Sequence, residues 1–390
     1  MSVNSLKSGV AKLNFHGTKL LDNCILYGGK IVGRIIFPFQ LIINSGQNIS
    51  HKSYYPECDL KNKYQIFFEQ LFYIFWTGEL NKNYFILGFD RKTKTDFKNY
   101  VPWLTFTHAR NTKNERPVKP EYDSYNFVCL LRDKFVFEAF CKSIGINTPT
   151  NIGMLNAGEL FLLKENKFIP VEEIINYELD AFCKRNVSFG GGMSNDILKL
   201  LIKNKKVFIN NKESTIDELK TYFGNDIWII QERIKNQIAE YAQFHPYSIN
   251  TIRIVTIKDG SGIDILCSSF RMGVNQRHSD NWSSGGIVTG VNIENGTLEK
   301  WGLYNPAYGT KSERHPNSEI LFEGYKLPYW EEMVKYVKNA HRLFYGLHSI
   351  GWDVSVTTDG IMLIEGNDNW DTTGAQAWKG AKRDFEKYFK

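Results

Sequence analysis

The chain has 390 residues, of which 42% are hydrophobic and 23% charged, with a formal net charge of +6. This is an ordinary globular composition, long enough for two or three domains or subdomains and a sizeable core. The charge is spread over the whole chain, in lysine-rich patches such as LKNKYQ (60–65) and LIKNKKVFINNK (201–212). No arginine-rich arm or aromatic RNA-binding signature accompanies it, so no nucleic-acid partner is expected, only a mild preference for anionic ligands.

The six cysteines form no CxxC pair, and their spacing gives neither a disulfide framework nor a zinc site, so reduced thiols are expected. The start, MSVNSLKSGVAKLNFHG, has no apolar signal core. The most apolar stretch is taken to be IFFEQLFYIFWTG (66–78), which is too short to span a bilayer, contains Glu69 and reads as a buried helix. The expectation is a cytoplasmic protein without a membrane span.

In chain order, residues 1–115 read as a mixed, aromatic-rich region, and NTKNERPVKPEYDS (111–124), with two prolines, as a linker or exposed loop. LRDKFVFEAFCKSIG (131–145) predicts a helix ending at Gly145, and INTPTNIGML has strand and turn character. AFCKRN (181–186) predicts a strand running into VSFGGGMSN, DILKLLIK (196–203) a helix, and KKVFINNK a turn and strand. TIDELKTYFG (215–224) predicts a helix with Thr215 as cap and Glu218 at capping-box spacing. DIWIIQERI (226–234) reads as a strand, INTIRIVTIKDGSGIDILCSSFRMG (249–273) as two strands joined across Gly260–Gly262, and YWEEMVKYVKNAHRLFYGL (329–347) as an amphipathic helix. The sum is an α+β architecture with largely antiparallel sheets.

That helix feeds into IGWDVSVTTDGIMLIEGNDNWD (350–371), a hairpin with acids in apolar, β-branched sequence. Strand interiors avoid unpaired carboxylates, whose burial costs several kcal/mol. A three-residue loop of Thr358, Asp359 and Gly360 would place Thr357 opposite Ile361 and Asp353 opposite Glu365, with Asn367 on the same face. A two-residue Asp359–Gly360 turn would put the acids on opposite faces. The charge calls for an arginine, water or a metal ion, and hard oxygen ligands of this kind suit magnesium.

Other groups could handle a nucleotide. Gly190, Gly191 and Gly192, flanked by Ser188 and Ser194 and preceded by Lys184, offer a phosphate cradle that is neither a P-loop nor a dinucleotide fingerprint; a flexible loop fits equally. Gln231 and Glu232, at the end of an apolar strand, could offer main-chain groups to an adenine edge or simply enter solvent. Arg271 suits phosphate or carboxylate oxygens, or a surface salt bridge. His278 and His315 lie in polar loops and read more readily as surface histidines than as substrate contacts.

Taken in order, these pieces resemble the ATP-grasp superfamily: Asp133–Lys134 opening a helix before GINTP, Lys184 before a Gly/Ser loop, the IIQERI strand, Arg253 in SINTIRIVT, Arg271, Asn281 with GG, and Asp353…Glu365-x-Asn367. NTIRIVT, HPNSE…GYKLPYW and IGWDVSVTTDG further resemble the sugar-transfer-associated ATP-grasp proteins found among bacterial surface-polysaccharide genes. The resemblance covers about residues 125–380.

It implies two α+β subdomains gripping ATP, within a domain at 125–390 in which about 181–235 form the lid and 236–390 carry the metal. Residues 1–115 lie outside these motifs; as a folded, aromatic-rich region they could shape the acceptor pocket. Lys134 and Lys184 would contact phosphates or the base edge, Ser188 and Gly190–Gly192 would close over the phosphates, and Gln231, Glu232 and Ile234 would hold adenine. Asp353, Glu365 and Asn367 would hold one or two Mg²⁺, and Arg271, with Arg253 and Asn281, would serve the transferring phosphoryl group. Arg185 replaces the usual proline after the second lysine, and Glu240 is a ribose-binding candidate only at approximate spacing. The implied activity is amide formation between a carboxylate and an amine, such as a sugar acid and an amino acid, through an acyl phosphate. Alternatives are a kinase on the same fold and a nucleotide-binding partner of a glycosyltransferase.

Overall fold

A computed structural model of the protein describes residues 26–115, 126–187, 196–260 and 262–390. Strands β1 (Asn151–Asn156), β2 (Glu159–Leu162), β3 (Lys167–Pro170), β4 (Leu179–Arg185), β5 (Ile197–Lys203), β6 (Lys206–Ile209), β7 (Lys212–Ser214) and β8 (Trp228–Glu232) form one sheet in the order β3-β2-β1-β8-β4-β5-β6-β7. Strands β9 (Thr251–Asp259), β10 (Gly262–Met272), β11 (Ile287–Val291), β12 (Leu298–Tyr304), β13 (Lys311–Ser312), β14 (Ser349–Thr357) and β15 (Gly360–Asn367) form a second, ordered β13-β12-β11-β10-β9-β14-β15. The paired strands of both sheets run antiparallel. This is the α+β architecture expected from the sequence.

Each sheet has its own core. Leu198, Leu200, Ile202, Trp228 and Ile230 centre the first, and Ile252, Ile254, Phe270, Trp352 and Val354 the second. The helix Trp330–Leu343 covers the second sheet with Trp330, Met333, Val337 and Ala340, a 3–4 spacing that places one apolar stripe on the core. Thr215 and Glu218 complete the expected capping box of the helix Ile216–Phe223.

Three expectations are corrected. DILKLLIK is not a helix but strand β5, paired between β4 and β6, with alternate residues Leu198, Leu200 and Ile202 buried. Leucine and lysine favour helix, but pairing on both sides of the segment prevails over that local preference. The helix Lys63–Thr77 is not buried all round: Ile66, Gln70, Tyr73, Ile74 and Thr77 face inward, whereas Phe68 and Phe72 are exposed.

The expected linker begins inside the helix Trp103–Asn114, and only its later part lies outside the described residues. Asn114 is fully buried there. Its Nδ2 donates to the carbonyls of Ser349 and Asp368, and its Oδ1 accepts from the amides of His348 and Ser349. A side chain that reads as linker therefore ties together the start of β14 and the residue that follows β15.

Candidate functional site

A cleft of about 510 Å³ lies between the two sheets, and one face of the second sheet supplies its charged wall. Side chains on one face of a sheet recur every second residue and align across neighbouring strands. One cross-strand row runs Ser269 (β10), Arg253 (β9), Asp353 (β14), Glu365 (β15). The next row to one side holds Arg271 and Thr251, and the next to the other holds Cys267, Val255, Gly351 and Asn367. Every residue of these rows except Gly351 lines the cleft. A Cβ on Gly351 would stand 2.6 Å from Trp370 Cβ and 3.3 Å from Arg253 Cδ, so glycine leaves the passage through which Arg253 reaches Asp353.

The hairpin reaches this register by a different route from the expected one. Its loop has two residues, Thr358 and Asp359, with Thr357 opposite Gly360 rather than Ile361. Gly360 takes φ +113°, which favours glycine, and Asn236 holds the turn through hydrogen bonds to Thr358 and Asp359. The register then shifts by one residue between Asp353 and Val354, leaving Ile364 as a bulge. The bulge cancels the shorter loop, so Asp353 does face Glu365.

Arginine supplies the countercharge to Asp353. Arg253 donates to it from Nε at 2.6 Å and Nη2 at 3.1 Å, and Arg271 from Nη1 at 2.9 Å. Burial works against the Asp353 carboxylate, but the two guanidiniums outweigh it and hold its pKa below 3.8. Arg271 also meets Asp280 at 3.3 Å, and Asp280 accepts from the amide and hydroxyl of Thr251. Burial raises the Asp280 pKa against the pull of Arg271. Burial opposes the Arg271 charge as well, yet Asp280 and Asp353 raise its pKa overall. Arg271 is therefore a largely buried, doubly paired cation, not a surface salt bridge.

Asp353 Oδ1 accepts from both arginines, whereas Oδ2 accepts only from Arg253 and keeps a lone pair. Asn367 donates its Nδ2 to Gly351 O at 3.4 Å, which leaves Oδ1 as an acceptor, and Glu365 stands 4.0 Å from Lys134 Nζ. Among the described residues no group of three or more His, Cys, Asp or Glu side chains is placed to hold a metal. A hard cation here would rest on Glu365, Asn367 Oδ1 and Asp353 Oδ2 together with substrate oxygens, a donor set that fits magnesium.

The first sheet supplies the opposite wall. Lys184 on β4 faces the cleft; burial lowers its pKa and Lys134 adds to that, against the attraction of Glu365, Asp353 and Asp280. Gln231, Glu232 and Ile234 also line the cleft. Gln231 is buried, and its Oε1 has no hydrogen-bond partner among the described residues.

Asp133 caps the helix Lys134–Ser143 by accepting from Val136 N, which places Lys134 beside Asn186 O and Glu365. Arg185, where the resemblance leads one to expect proline, pairs with Asp196 and Asp226. Ser188 and Gly190–Gly192 fall outside the described residues. Asn281 lines the cleft but uses its Oδ1 locally, accepting from Ser283. Glu240 is not brought to the cleft; it sits exposed on the short helix Ala239–Ala242. His278 lines the cleft, while His315 is fully buried and bonded to Gly273 O, a core histidine rather than a surface one.

Sequence reading also passed over Asp280, although it stands beside Asn281 in HSDNWSSGG, and over Asn83 and Ile86, which enter the cleft from the N-terminal region. Asn83 Nδ2 donates to Thr373 Oγ1 at 3.0 Å. No local pattern marks these two, because the fold alone carries them there.

No curated protein matches the sequence. Similar solved structures include an ADP complex of N5-carboxyaminoimidazole ribonucleotide synthetase, 11% identical over 65% of this chain and 50% of that one, with a TM-score of 0.38. A D-alanine–D-alanine ligase from Bacillus anthracis complexed with ATP is 16% identical over 67% of this chain and 63% of that one, with a TM-score of 0.36. The chain thus spans between 50% and 63% of the length of these two proteins. Residues 113–382, more than two-thirds of the chain, match the family model for sugar-transfer associated ATP-grasp proteins, and the protein belongs to that family.

Proposed function

We propose that the protein is a cytoplasmic ATP- and Mg²⁺-dependent ligase that joins a small-molecule carboxylate to an amine, in the assembly of a bacterial surface polysaccharide or sugar conjugate. The observation that carries this reading is the cross-strand row Arg253–Asp353–Glu365, flanked by Arg271 and Asn367 and facing Lys184 across one cleft. Phosphoryl transfer needs positioning and charge neutralisation more than side-chain covalent chemistry, and this inventory supplies both.

In this reading the substrate carboxylate attacks the γ-phosphorus of ATP, giving an acyl phosphate and ADP. The amine then attacks the acyl carbon, forms the amide and expels inorganic phosphate. Lys184 and Lys134 attract the phosphates, and Arg271, held by Asp280 and Asp353, presents fixed positive charge to the transferring group. Arg253 positions Asp353. The unpartnered Gln231 Oε1 suits an amino-group donor on a purine, with Glu232 and Ile234 beside it. Asp353, Glu365 and Asn367 would hold Mg²⁺, which supplies neutralisation of phosphate oxygens when bound. Asn83 and Ile86 give the N-terminal region a part in shaping the acceptor end.

The test is calorimetry of ATP binding with and without Mg²⁺ on the wild type and on Glu365→Gln, followed by hydroxylamine trapping with candidate sugar acids. Mg²⁺-dependent binding that the variant loses, together with a hydroxamate product, is the expected result. A stable phosphorylated product without hydroxamate would make the enzyme a kinase, and a wild type that binds no nucleotide would end the proposal.

A further inference from the structure

The N-terminal region carries a surface that the cleft does not use. The helix Leu26–Ile43 is, among the described residues, the one long and apolar enough to cross a membrane by length and composition. Gly28, Gly29, Lys30, Gly33, Arg34 and Pro38 punctuate its apolar sequence.

Of these residues, Lys30, Gly33 and Arg34 lie on the face that touches the protein. Gly33 packs so closely on Gly78 that an added Cβ would stand 2.1 Å from Gly78 O. Lys30 donates to Thr105 Oγ1 at 2.8 Å, Arg34 donates to the carbonyls of Phe75 and Trp76, and Leu41 is fully buried. The opposite face presents Ile31, Ile35, Phe39 and Ile42, each more than half exposed at helical spacing. The neighbouring helix Lys63–Thr77 adds Tyr64, Phe68, Phe72, Phe75 and Trp76, all exposed. These two helices hold 13 of the 24 large hydrophobic side chains exposed among the described residues, so the apolar surface is concentrated rather than scattered.

We infer that the joined faces of the helices Leu26–Ile43 and Lys63–Thr77 dock the protein on an anionic lipid bilayer, lying in the interface without crossing it. The charge pattern selects this occupant. No Asp or Glu occurs from Asn23 to Pro56; Lys30 and Arg34 are turned to the protein, and the basic residues left exposed are Lys52 and, at the head of the second stripe, Lys63. Basic segments beside an apolar face are attracted to anionic headgroups. Tyr64, Trp76 and Trp103 are exposed aromatics with a polar atom on the ring, the type favoured at the membrane–water boundary. Lys30 and Arg34 are anchored to Thr105 and to the end of the second helix, which keeps the first flat against the protein.

The test is flotation of the full chain with vesicles of phosphatidylcholine alone and of phosphatidylcholine mixed with phosphatidylglycerol. The expected result is binding to the mixed vesicles that weakens as salt is raised. In Ile35→Ser/Phe39→Ser/Phe72→Ser binding falls at least about tenfold with an unchanged unfolding midpoint, and Lys63→Glu gives a smaller loss. Wild-type protein that floats with neither vesicle, or a triple variant that binds as well as wild type, would overturn the inference. A dimer that the triple variant converts to monomer, without vesicle binding, would assign the face to a second copy instead. Resistance of bound wild type to alkaline carbonate extraction would show a spanning helix and overturn the in-plane reading.

Discussion

The two sheets that meet across the cleft carry charge in different ways. The second holds Arg253, Arg271, Asp280 and Asp353 as a mutually paired network whose members satisfy one another within one wall. The first offers Lys184 among Phe182, Ile197 and Ile234, with its pKa lowered by burial. A completed network couples stability to function, because removing one member strands the others. A cation held in a partly desolvated wall is a cost to the empty protein, recovered when an anion arrives. The second wall should therefore be fragile to substitution and the first tolerant.

Asp353→Ala is the harshest way to break this contrast. It leaves two largely buried guanidiniums without their shared carboxylate and should abolish turnover while lowering the unfolding free energy by about 3–5 kcal/mol. ADP release and urea unfolding measure the two effects. Wild-type stability in this variant would mean that the arginines are not held by Asp353. Glu365→Gln sharpens the contrast inside one strand pair. Its side chain is 28% exposed against 8% for Asp353. Turnover should fall on the order of a hundredfold, with stability changed by less than about 1 kcal/mol.

Lys184→Met tests the first wall. ATP affinity should weaken roughly tenfold, equivalent to about 1.4 kcal/mol, while stability at neutral pH holds or rises. Because the folded pKa of Lys184 lies below 10.5, the unfolded chain binds the extra proton between those two values, so wild-type stability rises with pH in that window. Loss of that rise in the methionine variant is the expected signature in unfolding measured across alkaline pH.

The smallest effect is an acid slope. Burial lowers His315 and His341 to about 4, so below 6.5 the unfolded chain protonates while the native one stays neutral. Stability should fall as pH drops from 6.5 to about 4, with a slope of at most two protons from these histidines. Asp353, whose folded pKa is depressed, extends the loss below 3.8. His315→Asn should reduce the slope by up to one proton in unfolding measured at stepped pH.

The hairpin shows how much was legible beforehand. The pairing of Asp353 with Glu365 was anticipated from strand alternation, yet through a three-residue loop that does not occur; a shorter turn and a bulge at Ile364 produce the same facing. The bulge has no sequence mark, because Ile364 simply continues the apolar run Ile361–Leu363. The β5 strand was misread for a related reason: its leucines and lysines fit a helix locally, and only pairing with β4 and β6 decides otherwise. Glu240 was proposed on spacing alone and lies away from the cleft.

The sequence by itself determined the α+β class, the capping box at Thr215, and the residue types able to meet a nucleotide, because these follow from local periodicity and side-chain chemistry. Tertiary structure decided which partner each charge received, how Asn114 clamps β14, how Asn83 reaches the cleft, and which face of Leu26–Ile43 is left outward. Those outcomes depend on contacts between residues far apart in the chain, whose pairing no local window of sequence contains.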